Sequence, residues 1–262
     1  MGADENVHGI PPVLPVGGDE RGWGLSWAIF AYLGFFAIQL VPAVVIVIIY
    51  TIYCYAGGRV VPKEPGDFPA AVLMVAAMVS QVVTIVWVYF LVRMVHALPF
   101  RRGISWDSRR PLADWKAVAA GFALMLFNAA FYVFVAPPAE GLNVPIMELT
   151  RTSEGLFMFG FMAIFIAPVS EELLFRGYIF APIERRYGAA AAISVTTALF
   201  MTPHLLQLGE YWQGVILIGL LGVTTGVLRA HTGGVRAGVI CHLIYNTLLV
   251  LSEALGRIAP PS

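Results

Sequence analysis

Long apolar runs separated by short polar connections fill the chain from about residue 25 onward. A helix needs about 20 mostly apolar residues to cross the hydrocarbon core of a bilayer. None of the runs alternates between apolar and polar positions as the strands of a membrane barrel do, so helices are the expected spanning form. The pattern predicts an all-α, polytopic membrane bundle of about seven transmembrane helices. The seven runs are 27–55, 68–96, 115–136, 155–180, 189–208, 212–229 and 237–255.

Composition supports a membrane protein and excludes several other classes. Hydrophobic residues make up 59% of the chain and charged residues 12%, whereas a soluble domain carries about 25% charged residues. The formal net charge is zero and there is no long basic tract, so a nucleic-acid partner is not expected. Cys54 and Cys241 lie in different apolar runs, which argues against a disulfide scaffold.

The domain organisation follows from the polar segments. Residues 1–24 are polar and rich in proline and glycine, which predicts a flexible N-terminal tail. The first apolar run is too long for the apolar region of a cleaved signal peptide. The polar connections are too short to form a soluble domain, so residues 25–262 are predicted to be one membrane domain.

Arginine and lysine residues predict the orientation in the membrane. If the N-terminus is cytoplasmic, 12 of the 16 basic residues lie in inner segments. The outer segments hold Arg59, Lys63, Arg151 and Arg257. Because cytoplasmic loops are enriched in Lys and Arg, the bias favours a cytoplasmic N-terminus and an external C-terminus.

Polar side chains that could perform chemistry are concentrated in the C-terminal half. Ionisable groups inside a span are costly, so they normally face a cavity and serve a function. Three sets stand in three different runs: Glu171, Glu172 and Arg176 in the fourth, Phe200 and His204 in the fifth, and His242 and Asn246 in the seventh.

Helix geometry places these sets at one depth. Glu172 lies sixteen residues before Gly188, and His204 lies sixteen residues after it. If the chain turns at residues 186–188, both side chains lie about 24 Å from the turn at 1.5 Å per residue. The seventh run brings His242 and Asn246 to a similar depth, on one helix face because they are four residues apart. We therefore expect a single polar layer.

The two glutamates are predicted to have different roles. Adjacent helix residues point about 100° apart, and Glu172 stands four residues before Arg176, the favourable arrangement for an ion pair. Glu172 and Arg176 are interpreted as a supporting pair, which leaves Glu171 facing the cavity as a general base, with His204 sharing the water. His242 and Asn246 would donate to a developing oxyanion.

The motifs resemble those of the CPBP family, which includes the type II CAAX prenyl endopeptidases and bacterial relatives linked to bacteriocin processing and self-immunity. That family is marked by E-E-x-x-x-R, F-x-x-x-H and H-x-x-x-N/D/S motifs in this order. Here they are Glu171-Glu172-x-x-x-Arg176, Phe200-x-x-x-His204 and His242-x-x-x-Asn246, within a stretch of about 155–255. The resemblance implies a glutamate-dependent endopeptidase in a bacterial inner membrane, cutting near the C-terminus of a membrane-associated peptide or protein.

Cofactor use and function class leave alternatives open at this stage. One glutamate and two histidines form a known catalytic zinc set, so Glu171, His204 and His242 could bind zinc. The absence of an H-E-x-x-H motif and the presence of Asn246 favour a site without a metal. The other readings are a zinc-dependent membrane protease, a non-enzymatic immunity or scaffold protein, and a small transporter, which the odd span count and the lack of an inverted repeat disfavour.

Overall fold

The computed structural model of the chain describes residues 23–64, 67–107, 114–135, 149–208 and 211–258. The predicted tail lies outside these residues except for its last two positions. Most of the connection between the third and fourth runs also lies outside them.

Six helices of the described residues are long and apolar enough to cross a membrane, and the regular secondary structure described is all helical. The prediction of an all-α membrane bundle is confirmed. We number the helices α1 (Leu25–Ala56), α2 (Ala70–Val95), α3 (Asp114–Phe134), α4 (Ser153–Leu205), α5 (Trp212–Thr232) and α6 (Arg236–Arg257).

The 53-residue helix α4 contains the fourth and fifth predicted runs. Gly188 has φ 84° and ψ 170°, a conformation that an α-helix cannot contain and that glycine adopts without a steric penalty. The chain folds back there, because the Phe175 and Phe200 rings on either side of Gly188 lie 5.6 Å apart. The predicted turn is thus present, and α4 consists of two antiparallel arms. Seven helical arms correspond to the seven predicted runs.

The first arm of α4 forms the centre of the bundle. Every residue from Ser170 to Phe180 is buried. In contrast, only 6% of the most apolar window of α1 is buried inside the protein. Helices α1, α2, α5 and α6 and the second arm of α4 all pack against this central arm. A helix buried on all sides can hold charged groups away from lipid, and the Glu171-Glu172 pair lies in this segment.

Prolines and wide helical turns in α4 leave carbonyl groups without helical donors. Pro182 has no N–H for the carbonyl of Tyr178, and the indole Nε1 of Trp23 donates to that carbonyl at 2.9 Å. In the π-helical segment Leu173–Ile179, the N–H of Phe180 donates to the carbonyl of Phe175. The Arg176 carbonyl therefore loses its α-helical donor. It accepts from Nε of Arg229 at 2.9 Å.

Connections predicted to lie on one membrane side do meet at one end of the bundle. The N–H of Val235, before α6, donates to the carbonyl of Ser105 at 2.9 Å, and the Arg185 guanidinium donates to the Trp23 carbonyl at 2.5 Å. At the opposite end, Arg257 donates to the Thr150 carbonyl at 2.6 Å.

Two arginines counted in the charge bias lie in the interior instead. Arg176 is 0% exposed and Arg229 is 4% exposed. Both make hydrogen bonds within the bundle, so neither contributes to the charge of a cytoplasmic surface. The excess of basic residues on the predicted inner side persists without them.

Candidate active site

Glu172 lies in the most deeply buried part of the central arm and is 0% exposed. Its Oε1 lies 3.3 Å from Nη1 of Arg176, one turn later on the same helix. Arg176 is also 0% exposed. Its Nη2 donates to the carbonyl of Gly222 in α5 at 2.7 Å, and its guanidinium lies over the Phe200 ring. The predicted Glu172–Arg176 ion pair is therefore present, in surroundings where either charge alone would be costly.

His242 of α6 lies between the two glutamates. Its Nδ1 lies 3.2 Å from Oε1 of Glu172, so the ring donates to that carboxylate. Its Nε2 lies 3.8 Å from Oε2 of Glu171, which is beyond direct hydrogen-bond distance. The contact between His242 and Glu172 was not anticipated from the sequence. It leaves only the Nε2 side of His242 facing Glu171.

Glu171 differs from its neighbour in exposure and in partners. The residue is 7% exposed, against 0% for Glu172. Its carboxylate makes the long contact to His242. The preceding residue, Ser170, donates to Oε1 of Gln81 in α2, which fixes the backbone next to Glu171. Glu171 is thus a buried carboxylate with an accessible edge, on a backbone segment that Ser170 holds.

His204 is held by its own helix. Its Nδ1 lies 2.9 Å from the carbonyl oxygen of Phe200. A carbonyl only accepts, so we assign the proton of the neutral ring to Nδ1, which leaves a lone pair on Nε2. The ring is half-buried. In this form Nε2 can accept a proton, as a general base must.

The Phe200 ring connects the two histidines. Its centroid lies 4.9 Å from that of His204 and 5.9 Å from that of His242. The two histidines therefore lie on the same phenylalanine ring. Glu171, Glu172 and His242 approach one another directly, while His204 reaches them across the Phe200 ring.

Asn246 is engaged with the backbone of α4. Its Nδ2 donates to the carbonyl of Ala163 at 2.8 Å. In this wide turn the N–H of Ala167 donates to the carbonyl of Met162, and Pro168 has no N–H to offer. The Ala163 carbonyl therefore lacks a helical donor, and Asn246 satisfies it. A carboxamide has two N–H groups, so one remains for another acceptor.

Gly238 is a site residue that the sequence reasoning missed. A Cβ at this position would lie 2.9 Å from Oε2 of Glu172. Only glycine leaves room for the carboxylate at its observed place. Its position four residues before His242, on the same helix face, could have pointed to it.

The residues do not fit a three-ligand zinc site as placed. Within the described residues, no group of three or more His, Cys, Asp or Glu side chains is arranged to hold a metal ion. Nε2 of His242 lies 3.8 Å from Oε2 of Glu171, and the Phe200 ring packs against both histidine rings. Catalytic zinc needs three converging donors at about 2.0–2.3 Å, which these side chains do not provide in this arrangement.

The comparisons with known proteins agree with the motifs. Residues 153–248 match the family described as type II CAAX prenyl endopeptidase Rce1-like. Neither a curated protein nor a solved structure matches the chain significantly. The matched segment contains all six candidate site residues and covers both arms of α4, the whole of α5 and the first half of α6. Residues 153–248 of this integral membrane protein therefore belong to the type II CAAX prenyl endopeptidase Rce1-like family, a family of membrane peptidases.

Proposed function

We propose that this protein is an intramembrane endopeptidase that cleaves a peptide bond near the C-terminus of a membrane-associated peptide or protein. The observation that carries the proposal is the difference between the adjacent glutamates. Glu172 is enclosed and ion-paired, while Glu171 keeps an accessible edge beside His242. One carboxylate is thereby available for proton transfer within a segment that matches a peptidase family.

In the proposed reaction, Glu171 takes one proton from a water molecule that also donates a hydrogen bond to Nε2 of His204, as the water oxygen attacks the scissile carbonyl carbon. The tetrahedral intermediate carries an oxyanion. Its donors are Nε2–H of protonated His242 and the second amide N–H of Asn246. The C–N bond then breaks, and the departing nitrogen takes the proton held by the base. The carbonyl re-forms as this bond breaks, so the first products are a carboxylic acid and an amine, and the acid then gives its proton to the freed base.

Glu172 and Arg176 support the site rather than react. The carboxylate of Glu172 accepts from Nδ1 of His242 and so orients the imidazole with Nε2 towards Glu171. Arg176 balances the charge that Glu172 brings into the interior. This arrangement lets a buried carboxylate position a histidine without itself meeting the substrate.

The proposed chemistry needs no metal ion. Glu171 and His204 supply the base, and His242 and Asn246 supply the donors. Purified protein treated with a chelator and then gel-filtered should keep its activity. A loss that zinc restores would contradict the proposal.

We propose that residues 25–262 form a single membrane domain, and that the site belongs to this domain. We propose a bacterial inner membrane, following the resemblance to bacterial relatives, with the N-terminus in the cytoplasm and the C-terminus outside, following the distribution of arginine and lysine. The bilayer then brings membrane-associated substrates to the site by lateral diffusion.

The experiment that tests the function compares the C-terminal peptides of cells that carry the wild-type protein or the Glu171→Gln variant. The proposal predicts membrane-associated substrates whose shortened C-termini appear only with the wild type. Equal amounts of the variant in the membrane provide the control. Identical C-terminal peptides in both strains, at equal expression, would contradict the proposal.

A further inference from the structure

Pro203 creates a gap in the hydrogen bonds of the second arm of α4, next to His204. In an α-helix the carbonyl of Leu199 would accept from the N–H of residue 203, but proline has none. An unpaired carbonyl inside a membrane protein costs free energy, because no bulk water is there to bind it. A donor from outside the arm is therefore required.

Tyr32 of α1 supplies that donor. Its hydroxyl donates to the Leu199 carbonyl at 3.2 Å. The ring lies among aromatic side chains, with centroids 5.0 Å from Phe36 and 6.4 Å from Phe175. These contacts fix where the hydroxyl can reach. Tyr32 thus joins a peripheral helix to the arm that carries His204.

The carbonyl of Phe200, next to that of Leu199, holds the His204 ring. Phe200 follows Leu199 directly, and its carbonyl accepts from Nδ1 of His204 at 2.9 Å. The Phe200 ring also contacts both histidines. A shift of the Leu199 peptide would therefore move both the carbonyl that sets the His204 tautomer and the ring against which it packs.

We infer that Tyr32 is a positioning residue for His204: its hydroxyl caps the carbonyl that Pro203 leaves free and so fixes the orientation of the histidine. The catalytic consequence rests on the proposed function, whereas the effect on His204 itself does not. Tyr32 lies outside the segment that matches the family model. The first helix thereby contributes to the site, although it contains none of the motif residues.

The test is a double-mutant cycle between Tyr32→Phe and Pro203→Ala. Alanine at position 203 restores an N–H to the Leu199 carbonyl, which makes the tyrosine hydroxyl redundant. We expect Tyr32→Phe to lower kcat about tenfold in the wild-type background, with KM changed less than about twofold, because small displacements of catalytic groups cost much of the rate. In the Pro203→Ala background the same change should lower kcat less than about twofold. Tyr53→Phe, at a half-exposed position farther along α1, is the matched control.

A second readout does not depend on activity. The chain contains five histidines, and selective ¹⁵N-histidine labelling with His204→Gln as the assignment variant identifies the ring signals of His204 by NMR. Tyr32→Phe should shift these signals in the wild-type background and leave them unchanged in the Pro203→Ala background. Tyr53→Phe should leave them unchanged in both.

The outcomes separate this inference from the proposed function. Equal effects of Tyr32→Phe in both backgrounds, or unchanged His204 signals in the wild-type background, would overturn the positioning role. If the protein cleaves nothing, the His204 NMR signals of the four variants in the double-mutant cycle alone test the positioning role. If Pro203→Ala fails to fold, the His204 signals of Tyr32→Phe and Tyr53→Phe decide, because the inference requires a shift only in the former.

Discussion

At the scale of single residues, the site depends on two consecutive glutamates with different surroundings. Glu172 accepts from His242 and pairs with Arg176, with no exposure to solvent or lipid. Glu171 approaches His242 only at 3.8 Å and retains an accessible edge. Adjacent helix residues point about 100° apart. Glu172 can therefore support the site while Glu171 faces the proposed reaction.

Glu172→Gln should destabilise the protein much more than Glu171→Gln. Removing one partner of a buried ion pair leaves the other charge uncompensated, at a cost of about 3–5 kcal/mol. Glu171→Gln removes no direct hydrogen bond seen in the structure, so its cost should be below about 1 kcal/mol. Unfolding in detergent, followed by circular dichroism, measures the difference. Equal stability of the two variants would refute the supporting role of Glu172.

Gly238→Ala should also destabilise the protein, because the added methyl group would lie 2.9 Å from Oε2 of Glu172. Overpacking of this kind costs about 1–3 kcal/mol. Gly256, on the same helix, has no heavy atom within 4 Å of the corresponding position. Gly256→Ala should therefore stabilise the helix by about 0.5–1 kcal/mol. Opposite signs for the two changes in the same unfolding assay are expected, and a stabilised Gly238→Ala would contradict the packing described.

At the scale of helices, local patterns predict some features and miss others. The apolar runs, the turn at Gly188 and the spacing of Glu172 and Arg176 are all properties of short stretches of sequence, and the structure contains each of them. The bonds that satisfy released carbonyls join residues far apart in the chain, as Asn246 and Ala163 do. A sequence shows which proline removes a donor but not which distant side chain replaces it. For the same reason the contact between His242 and Glu172 could not be predicted.

At the junction of α1, α2 and α4, side chains from distant parts of the chain form a cluster. This cluster should make the stability of the protein depend on pH. The His96 ring, just after α2, stacks on Trp23 with centroids 4.9 Å apart, and its Nε2 lies 2.6 Å from the Tyr178 hydroxyl. Burial lowers the pKa of His96 below its ordinary value of about 6.5. The unfolded chain therefore binds a proton at a higher pH than the folded protein, and stability falls as the pH drops below about 6.5.

Acidification from pH 8 to pH 5 should thus lower the unfolding temperature of the wild type more than that of His96→Asn. The comparison between the two proteins cancels the titration of other groups. The same decrease in both proteins would show that His96 contributes nothing to the pH dependence.

At the scale of the whole molecule, less buried helices surround one buried arm of α4. The central arm of α4 carries both glutamates and Arg176, and α6 brings His242 and Asn246 to it. The peripheral helix α1 contacts the second arm of α4 through Tyr32, and Trp23, just before α1, bonds the Tyr178 carbonyl of the first arm. Site formation therefore depends on helix packing, because Glu172 meets His242 and Arg176 meets the Gly222 carbonyl only when α6 and α5 contact α4.

The seven helical arms of the described residues predict that the start of α1 and the end of α6 face opposite sides of the membrane. With a cytoplasmic N-terminus, a fluorescent protein fused there should fluoresce, and alkaline phosphatase fused to the C-terminus should be active. The reverse fusions serve as controls, since each reporter works on one side only. A fluorescent C-terminal fusion together with an inactive C-terminal phosphatase would contradict this topology.

The central claim is that the Glu171 carboxylate activates water, and the most direct measurement is the kcat of Glu171→Gln. The assay uses purified protein in lipid nanodiscs with a substrate found by the C-terminal comparison. General acid–base catalysis contributes about 10²–10⁴-fold, so kcat should fall by at least about 100-fold while the unfolding temperature stays close to that of the wild type. A folded Glu171→Gln protein that keeps more than about a tenth of the wild-type kcat would contradict the claim.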